Sequence, residues 1–370
     1  MTGARHLYVH LPFCSHRCGY CDFVTVVGGR GDHHGYVDAL LTEFALERES
    51  LASTLETVFL GGGTPTFTDP AALARLLAAL PAAEEVTVEA NPETVTPGLA
   101  ALLRRHGVNR VSLGAQTFDT SLLAVLERVA TPDDVRRAFY ALRDAGFDNI
   151  SLDLIYGIPG QSASDVARDL AEALALRPEH ISAYELEAKP GTRFAHAHGA
   201  ELARLADSME GFFELVVETL TAAGYRWYET ANFCRSASDV DGRDLRARHN
   251  LAYWRGRDYL GLGVGAVSTI ENRRWRNAPS LGGYLAALGR GERPRCEYEA
   301  LPVETRHAER LMLGLRLDEP VATRGLEEAF DPVGLARLEE LGLAERRPGA
   351  LTLTRRGRFL GDGVTARLLA

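Results

Sequence analysis

Before residue 225 the chain alternates short apolar runs with longer helical patterns, and the alternation repeats about six times. Runs near 6–11 (HLYVHL), 56–60 (ETVFL), 85–89 (EVTVE), 109–114 (NRVSLG), 149–155 (NISLDLI) and 180–186 (HISAYEL) read as strands. The helices between them have marked starts. Asp69 before Pro70, Thr96 before Pro97 and Thr131 before Pro132 each put an accepting side chain ahead of a proline whose missing N–H costs nothing at the first helical position. Gly107, Gly146 and Gly224 suit the left-handed residue that closes a helix. Parallel neighbours need a crossover helix, so strand, helix, strand in repeated register predicts a parallel sheet. About six units predict an α/β fold built on a partial (β/α)6 barrel of TIM type rather than an eightfold one.

The unusual polar residues follow this rhythm. A cysteine loop follows strand one, Gly61 to Pro65 follow strand two, Glu89 ends strand three, and Gln116 follows strand four. Asp153 lies in strand five and Tyr184 in strand six. The carboxyl ends of parallel barrel strands form the active face, so these residues are expected at one mouth.

Past residue 225 the pattern changes. "YRWYETANFC" and "HNLAYWRGRDYLGLGVGAVS" are rich in glycine and aromatics and are expected to extend the barrel over its mouth. Helices near 304–316 and 332–341, followed by "LTLTRRGRFLGDGVTARLL", predict a small winged-helix-like module. The expected domains are therefore a barrel over 1–225, an extension over 226–299 and a C-terminal domain over 300–370. A hydrophobic content of 46% suits a sizeable core, while a net charge of −9 without a basic run gives no reason to expect a nucleic-acid partner. No apolar run reaches membrane-spanning length, and "MTGARHLYVH" lacks the regions of a signal peptide. The expected location is cytoplasmic, at most peripheral to the inner membrane, where thiols stay reduced.

Three of the five cysteines, Cys14, Cys18 and Cys21, crowd into "YVHLPFCSHRCGYCDF". Structural zinc normally takes four ligands in two separated pairs, but no second CxxC occurs, and His16 lies inside the first loop, where closure on one ion would be cramped. A 4Fe-4S cluster suits three thiolates better, because three irons are then held and the fourth is left open for chemistry. Cys234 and Cys296 stand alone and read as packing residues.

CxxxCxYC, with an aromatic before its last cysteine, resembles the signature of the radical S-adenosylmethionine (SAM) enzymes. With "GGGTP" and "HNLAYW" the longer run resembles one branch of them over nearly the whole chain: the oxygen-independent coproporphyrinogen III oxidases and their relatives, the haem chaperones of the HemW type. The resemblance implies that SAM chelates the open iron and that electron transfer from the reduced cluster cleaves its C–S bond to a 5′-deoxyadenosyl radical. It implies close backbone approach of SAM at Gly61, Gly62 and Gly63, with a hydroxyl from Thr64. Glu89 matches the ribose-binding carboxylate, and Gln116, Arg128 and Asp153 match further SAM positions, Arg128 against the SAM carboxylate. Tyr8 resembles the aromatic beside the sulfonium. A P-loop is excluded, since no Gly-Lys-Ser/Thr follows the glycines.

Within that branch two functions compete, oxidative decarboxylation of coproporphyrinogen III and the carriage of haem to acceptor proteins. The oxidases carry a further cysteine two positions after the last ligand, where this chain has Phe23, and a long N-terminal extension, where this chain begins just before its first strand. Both favour the carrier. "HNLAYW" resembles the haem motif of the chaperones: His249 can offer an axial imidazole, and Tyr253 and Trp254 flat apolar surface. "GLGVGA" does not fit the G-x-G-x-x-G dinucleotide fingerprint. Ala130 and Lys189 depart from common family residues without removing a cluster or SAM ligand. The implied partners are haem-accepting proteins, respiratory haem proteins at the membrane among them, and an electron donor such as a flavodoxin or ferredoxin.

Overall fold

The computed structural model describes residues 3–28, 32–189, 192–236 and 242–369. β1 (His6–Leu11), β2 (Leu55–Gly62), β3 (Ala83–Ala90), β4 (Arg110–Gln116), β5 (Ile150–Tyr156) and β6 (His180–Glu185) lie side by side in that order, each pair parallel. The crossovers carry α1 (His33–Glu47), α2 (Pro70–Ala79), α3 (Pro97–Arg105), α4 (Thr120–Val125), α5 (Pro132–Asp144) and α6 (Ala163–Leu176), and α7 (Arg193–Ala222) follows β6. This is the partial barrel that the strand-helix rhythm predicts.

The helix starts are set by side chains. Asp69 accepts from the N–H groups of Ala71 and Ala72, Thr96 from Leu99, and Thr131 forms a reciprocal capping box with Asp134. Side chains alternate between the two faces of the sheet, up to a register shift between Gly114 and Gln116 in β4. Leu7 and Val9 of β1 are fully buried in one apolar cluster with Leu60, Val88, Leu113 and Leu152 and with Leu73, Leu103 and Leu142 of the helices. Truncating any of these leucines to alanine is expected to cost about 2–5 kcal/mol. The opposite parity brings His6, Tyr8, His10, Glu85, Glu89, Arg110, Ser112, Asp153 and His180 into the barrel interior, so polar groups fill the space that the helices do not cover.

Both sheet edges continue. Beyond β6, β7 (Tyr225–Trp227) and β8 (Asn232–Arg235) add in antiparallel fashion, β8 lying next to β6. Beyond β1, β9 (Tyr259–Leu262) is parallel, and β10 (Val267–Ile270), β11 (Arg273–Asn277) and β12 (Arg295–Ala300) follow antiparallel. The expectation that this extension covers the mouth is corrected here. The added strands widen the sheet sideways, and α8 (Arg248–Trp254) closes the opposite end of the barrel, the floor. Its backbone N–H groups at Arg248 and His249 donate to Glu85 near the start of β3, both at 3.2 Å.

After α9 (Leu281–Gly289), the C-terminal module consists of α10 (Val303–Gly314), β13 (Val321–Ala322), α11 (Pro332–Glu340), the hairpin β14 (Ala344–Arg347) and β15 (Ala350–Leu353), α12 (Arg355–Phe359) and α13 (Gly361–Leu368). The three strands pair antiparallel, and Leu311, Leu335, Leu338, Leu353 and Leu368 form a separate apolar cluster. Arg226 meets this module through a bidentate pair with Asp318, at 2.7 and 2.9 Å.

Candidate cofactor site

The cysteine loop is pinned at both ends. Phe13–Cys14 pairs with Val26–Val27, and Gly28 N–H donates to the Cys14 carbonyl at 2.9 Å. The glycine segment clamps it from the side, with Gly63 N–H on Leu11 O and Thr64 N–H on Phe13 O, each at 2.8 Å. This closeness is what the glycines permit. Gly62 has φ +110°, and a Cβ there would lie 2.5 Å from the His10 ring; at Gly63 it would lie 2.6 Å from the Pro12 carbonyl. Gly61 and Gly62 are still strand residues of β2, so the turn begins two residues later than the sequence suggests.

All three loop cysteines are free thiols, Cys14 buried and Cys18 and Cys21 half-buried. Burial pushes the thiols of Cys14 and Cys21 above their ordinary range, so metal binding there must displace protons. Among the described residues no three His, Cys, Asp or Glu side chains converge on a single ion. A multi-iron cluster asks each thiolate for its own iron and does not need a shared point, which is the demand three thiols along one wall can meet.

One cavity of about 560 Å³ takes its walls from Cys14, Cys18, Cys21, Gly62, Gly63, Thr64, Glu89, Gln116, Arg128 and Asp153. A run of hydrogen bonds joins two of the cysteines across it. The Thr64 hydroxyl donates to Cys14 Sγ at 3.5 Å and accepts from Asn91 Nδ2 at 3.0 Å. Arg128 donates to Asn91 Oδ1 at 2.9 Å, to the Gly114 carbonyl at 3.1 Å and to Cys18 Sγ at 3.7 Å. Gln116, with φ +64°, turns the chain out of β4 at the cavity edge.

Deeper in, Glu89 accepts the Gly62 N–H at 3.1 Å. Burial, reinforced by the neighbouring charge of Asp153, pushes its carboxyl up to about 7. Asp153 is raised by burial too, against hydrogen bonds from Ser112 at 2.8 and 3.0 Å and from Ser151 at 3.1 Å. The floor of the cavity includes Arg110 and Asn250, which sequence reasoning passed over along with Asn91. Arg110 is only 2% exposed and its Nε has no partner. The available signal was parity, since Arg110 shares its strand face with Ser112 and Gly114. Such an arrangement suits a zwitterionic nucleoside: a cationic group for a carboxylate at the thiol end, carboxylates for hydroxyls, and glycine backbone for close approach.

Four expected ligand residues do not line this cavity. Tyr8 stands behind Phe59, ring centroids 6.2 Å apart, and donates to His10 Nδ1 at 3.0 Å while His10 Nε2 donates to Val24 O. His249 is 1% exposed at the floor, with Nδ1 2.7 Å from Thr57 Oγ1 and Nε2 2.9 Å from the Tyr253 hydroxyl. Burial holds its imidazole neutral, with the pKa pulled down to about 3. The sequence expectation of an imidazole ready to ligate is not what this conformation offers, because both ring nitrogens are taken. Trp254 lies under the guanidinium of Arg316, 4.8 Å from its ring centroid.

A parallel half-barrel with a three-cysteine loop after its first strand defines a radical SAM fold, and the model of the Radical SAM superfamily matches residues 8–173. The model of the HemN C-terminal domain matches residues 301–360. The solved structure of coproporphyrinogen III oxidase (HemN) from Escherichia coli, described as a radical SAM enzyme, superposes with a TM-score of 0.81 over 99% of this chain and 90% of that one. At 23% identity that likeness is one of fold. Sequence separates the branches. The chain is 37% identical over 376 residues to the haem chaperone HemW of Mycobacterium tuberculosis, covering 98% of this chain and 94% of the relative. It is 32% identical over 382 residues to that of Bacillus subtilis, covering 98% of each. The chain belongs to the HemW family.

Proposed function

We propose that this chain is a haem carrier that holds a 4Fe-4S cluster on Cys14, Cys18 and Cys21, binds SAM in the adjoining cavity, and passes haem to acceptor proteins. What carries the reading is the convergence of three free thiols, a guanidinium, two buried carboxylates and a glycine wall on one cavity. When bound, the cluster and SAM would supply reductive cleavage of the SAM C–S bond. The chain's own part is positioning: Arg128 and Asn91 orient the thiol wall, Gly62 and Gly63 admit the methionyl backbone, Glu89 accepts from the ribose, and Gln116 and Asp153 bound the site. Tyr8 acts from behind Phe59 and so sets that ring's position.

Phe23 is 59% exposed and lines the rim of the cavity, where the oxidase branch has a cysteine. An exposed aromatic there offers flat apolar surface and no thiol chemistry, which supports carriage over decarboxylation. His249, Tyr253 and Trp254 serve haem in a second conformation, in which α8 yields the bonds that now occupy both ring nitrogens. The carrier works in the cytoplasm, peripheral to the membrane when it meets respiratory acceptors, with a flavodoxin or ferredoxin as electron donor. No described helix is long and apolar enough to cross a membrane.

The test is an anaerobic haem titration of cluster-loaded protein followed by gel filtration. Stoichiometric haem retained with an unchanged iron-sulfur spectrum is the expected result. Haem lost on the column, or gained only at the expense of cluster iron, contradicts the reading.

A further inference from the structure

A second cavity, of about 330 Å³, opens at the seam between the end of α7 and the C-terminal module, and its walls include Arg226, Trp227, Asp318, Arg355 and Arg358. Arg226 and Asp318 satisfy each other in the bidentate pair described above. The other two arginines are not satisfied. Arg358 lies 3.7 Å over the Trp227 indole and donates Nη1 to the Trp227 carbonyl at 3.0 Å, while its Nε and Nη2 are buried without a partner. Arg355 is exposed, stands over the Phe359 ring at 5.7 Å, and forms no ion pair among the described residues. Glu229, the other acid whose charge acts on Arg358, is engaged by Arg316 at 3.4 Å.

Unpaired buried donors on a charged group are costly and call for an acceptor. Burial pulls the Arg358 pKa down to about 10, outweighing the opposing charges of Asp318 and Glu229. We propose that this seam is a binding site for a phosphate group, free or carried on a lipid headgroup, held by Arg355 and Arg358. Phosphate suits the pair because its three terminal oxygens can accept from both guanidinium forks at once, and its charge exceeds that of a carboxylate. The site goes beyond the haem reading and depends on neither cluster nor SAM.

Calorimetric titration of the full chain with inorganic phosphate, in a chloride-free buffer, tests this. Saturable binding is expected, weakened about tenfold or more in Arg355→Ala and in Arg358→Gln, as the loss of charged hydrogen bonds implies. Arg355→Ala alters an exposed side chain and keeps the test valid if Arg358→Gln misfolds by circular dichroism. Sedimentation with phosphatidic acid vesicles, against phosphatidylcholine alone, distinguishes the sources: arginine-dependent vesicle binding assigns a headgroup, and phosphate binding without it assigns the free ion. No saturable binding to either probe by the wild type, or phosphate affinity unchanged in Arg355→Ala, overturns the proposal.

Discussion

The Nδ1 atom of His249 lies 2.7 Å from the Oγ1 atom of Thr57, a hydrogen bond between residues 192 positions apart that fixes α8 to the barrel floor. Thr57 also meets His6 Nδ1 at 3.0 Å, and Tyr253 holds the other His249 nitrogen. The histidine proposed for haem is thus a buried structural group in this conformation, and haem must compete with those bonds.

That competition has a measurable sign. Tyr253→Phe frees Nε2 of His249, so haem affinity is expected to rise by about fivefold, the worth of one net hydrogen bond. His249→Ala is expected to lose the haem band and also about 2–4 kcal/mol of stability, from two lost bonds and the space left behind. Spectrophotometric haem titration of both variants, with urea unfolding alongside, checks this. Haem affinity unchanged in both would place haem elsewhere on the chain.

The strand pattern and helix caps made the barrel legible, because Asp69, Thr96 and Thr131 act through neighbours within three residues. The same holds for the thiols and Gly62, whose spacing alone carries the information. What the sequence hid is long-range. That α8 closes the floor depends on the contacts of His249 with Thr57 and of its N–H with Glu85, and no local signal records them. Arg110 looked like a strand residue, and Asn91, just after β3, gave no sign that it would bridge Thr64 and Arg128.

Loss of any one of Cys14, Cys18 or Cys21 to alanine is expected to abolish iron loading and the visible absorbance of anaerobically reconstituted protein, with the fold retained by circular dichroism. Three thiolates are the least that can hold three irons. Iron content equal to wild type in a triple variant would show that the metal sits elsewhere.

SAM affinity should depend on pH through Glu89. Its carboxyl, raised to about 7 by burial and by Asp153, would accept from ribose hydroxyls more strongly when ionised, so SAM binding in the proposed pose is expected to release a proton. Affinity is therefore expected to rise between about pH 6 and about pH 8, and to become flat and about tenfold weaker in Glu89→Gln. Equilibrium dialysis of SAM against cluster-loaded protein measures both; an identical pH profile in the variant removes Glu89 from the site.

Glu43 on α1 is a structural counterpart that does not line the thiol cavity. It accepts from Tyr284 Oη at 2.7 Å, Gly263 N at 2.8 Å and Asn277 Nδ2 at 2.6 Å, yet burial still pushes it up to about 7. The folded chain then binds more protons than the unfolded chain between the ordinary value of 4.5 and about 7, so this group's contribution to stability falls as pH rises through that window. Glu89 adds a slope of the same sign in that window, so urea midpoints should show a slope that Glu43→Gln makes shallower without abolishing it.

Anaerobic incubation of cluster-loaded protein with SAM, a reductant and coproporphyrinogen III, with chromatographic analysis of the porphyrin product, tests the carrier reading most directly. The account predicts coproporphyrinogen recovered unchanged by protein that still binds haem. Catalytic formation of protoporphyrinogen IX would contradict it, and would make the cavity beside Phe23 an oxidase site.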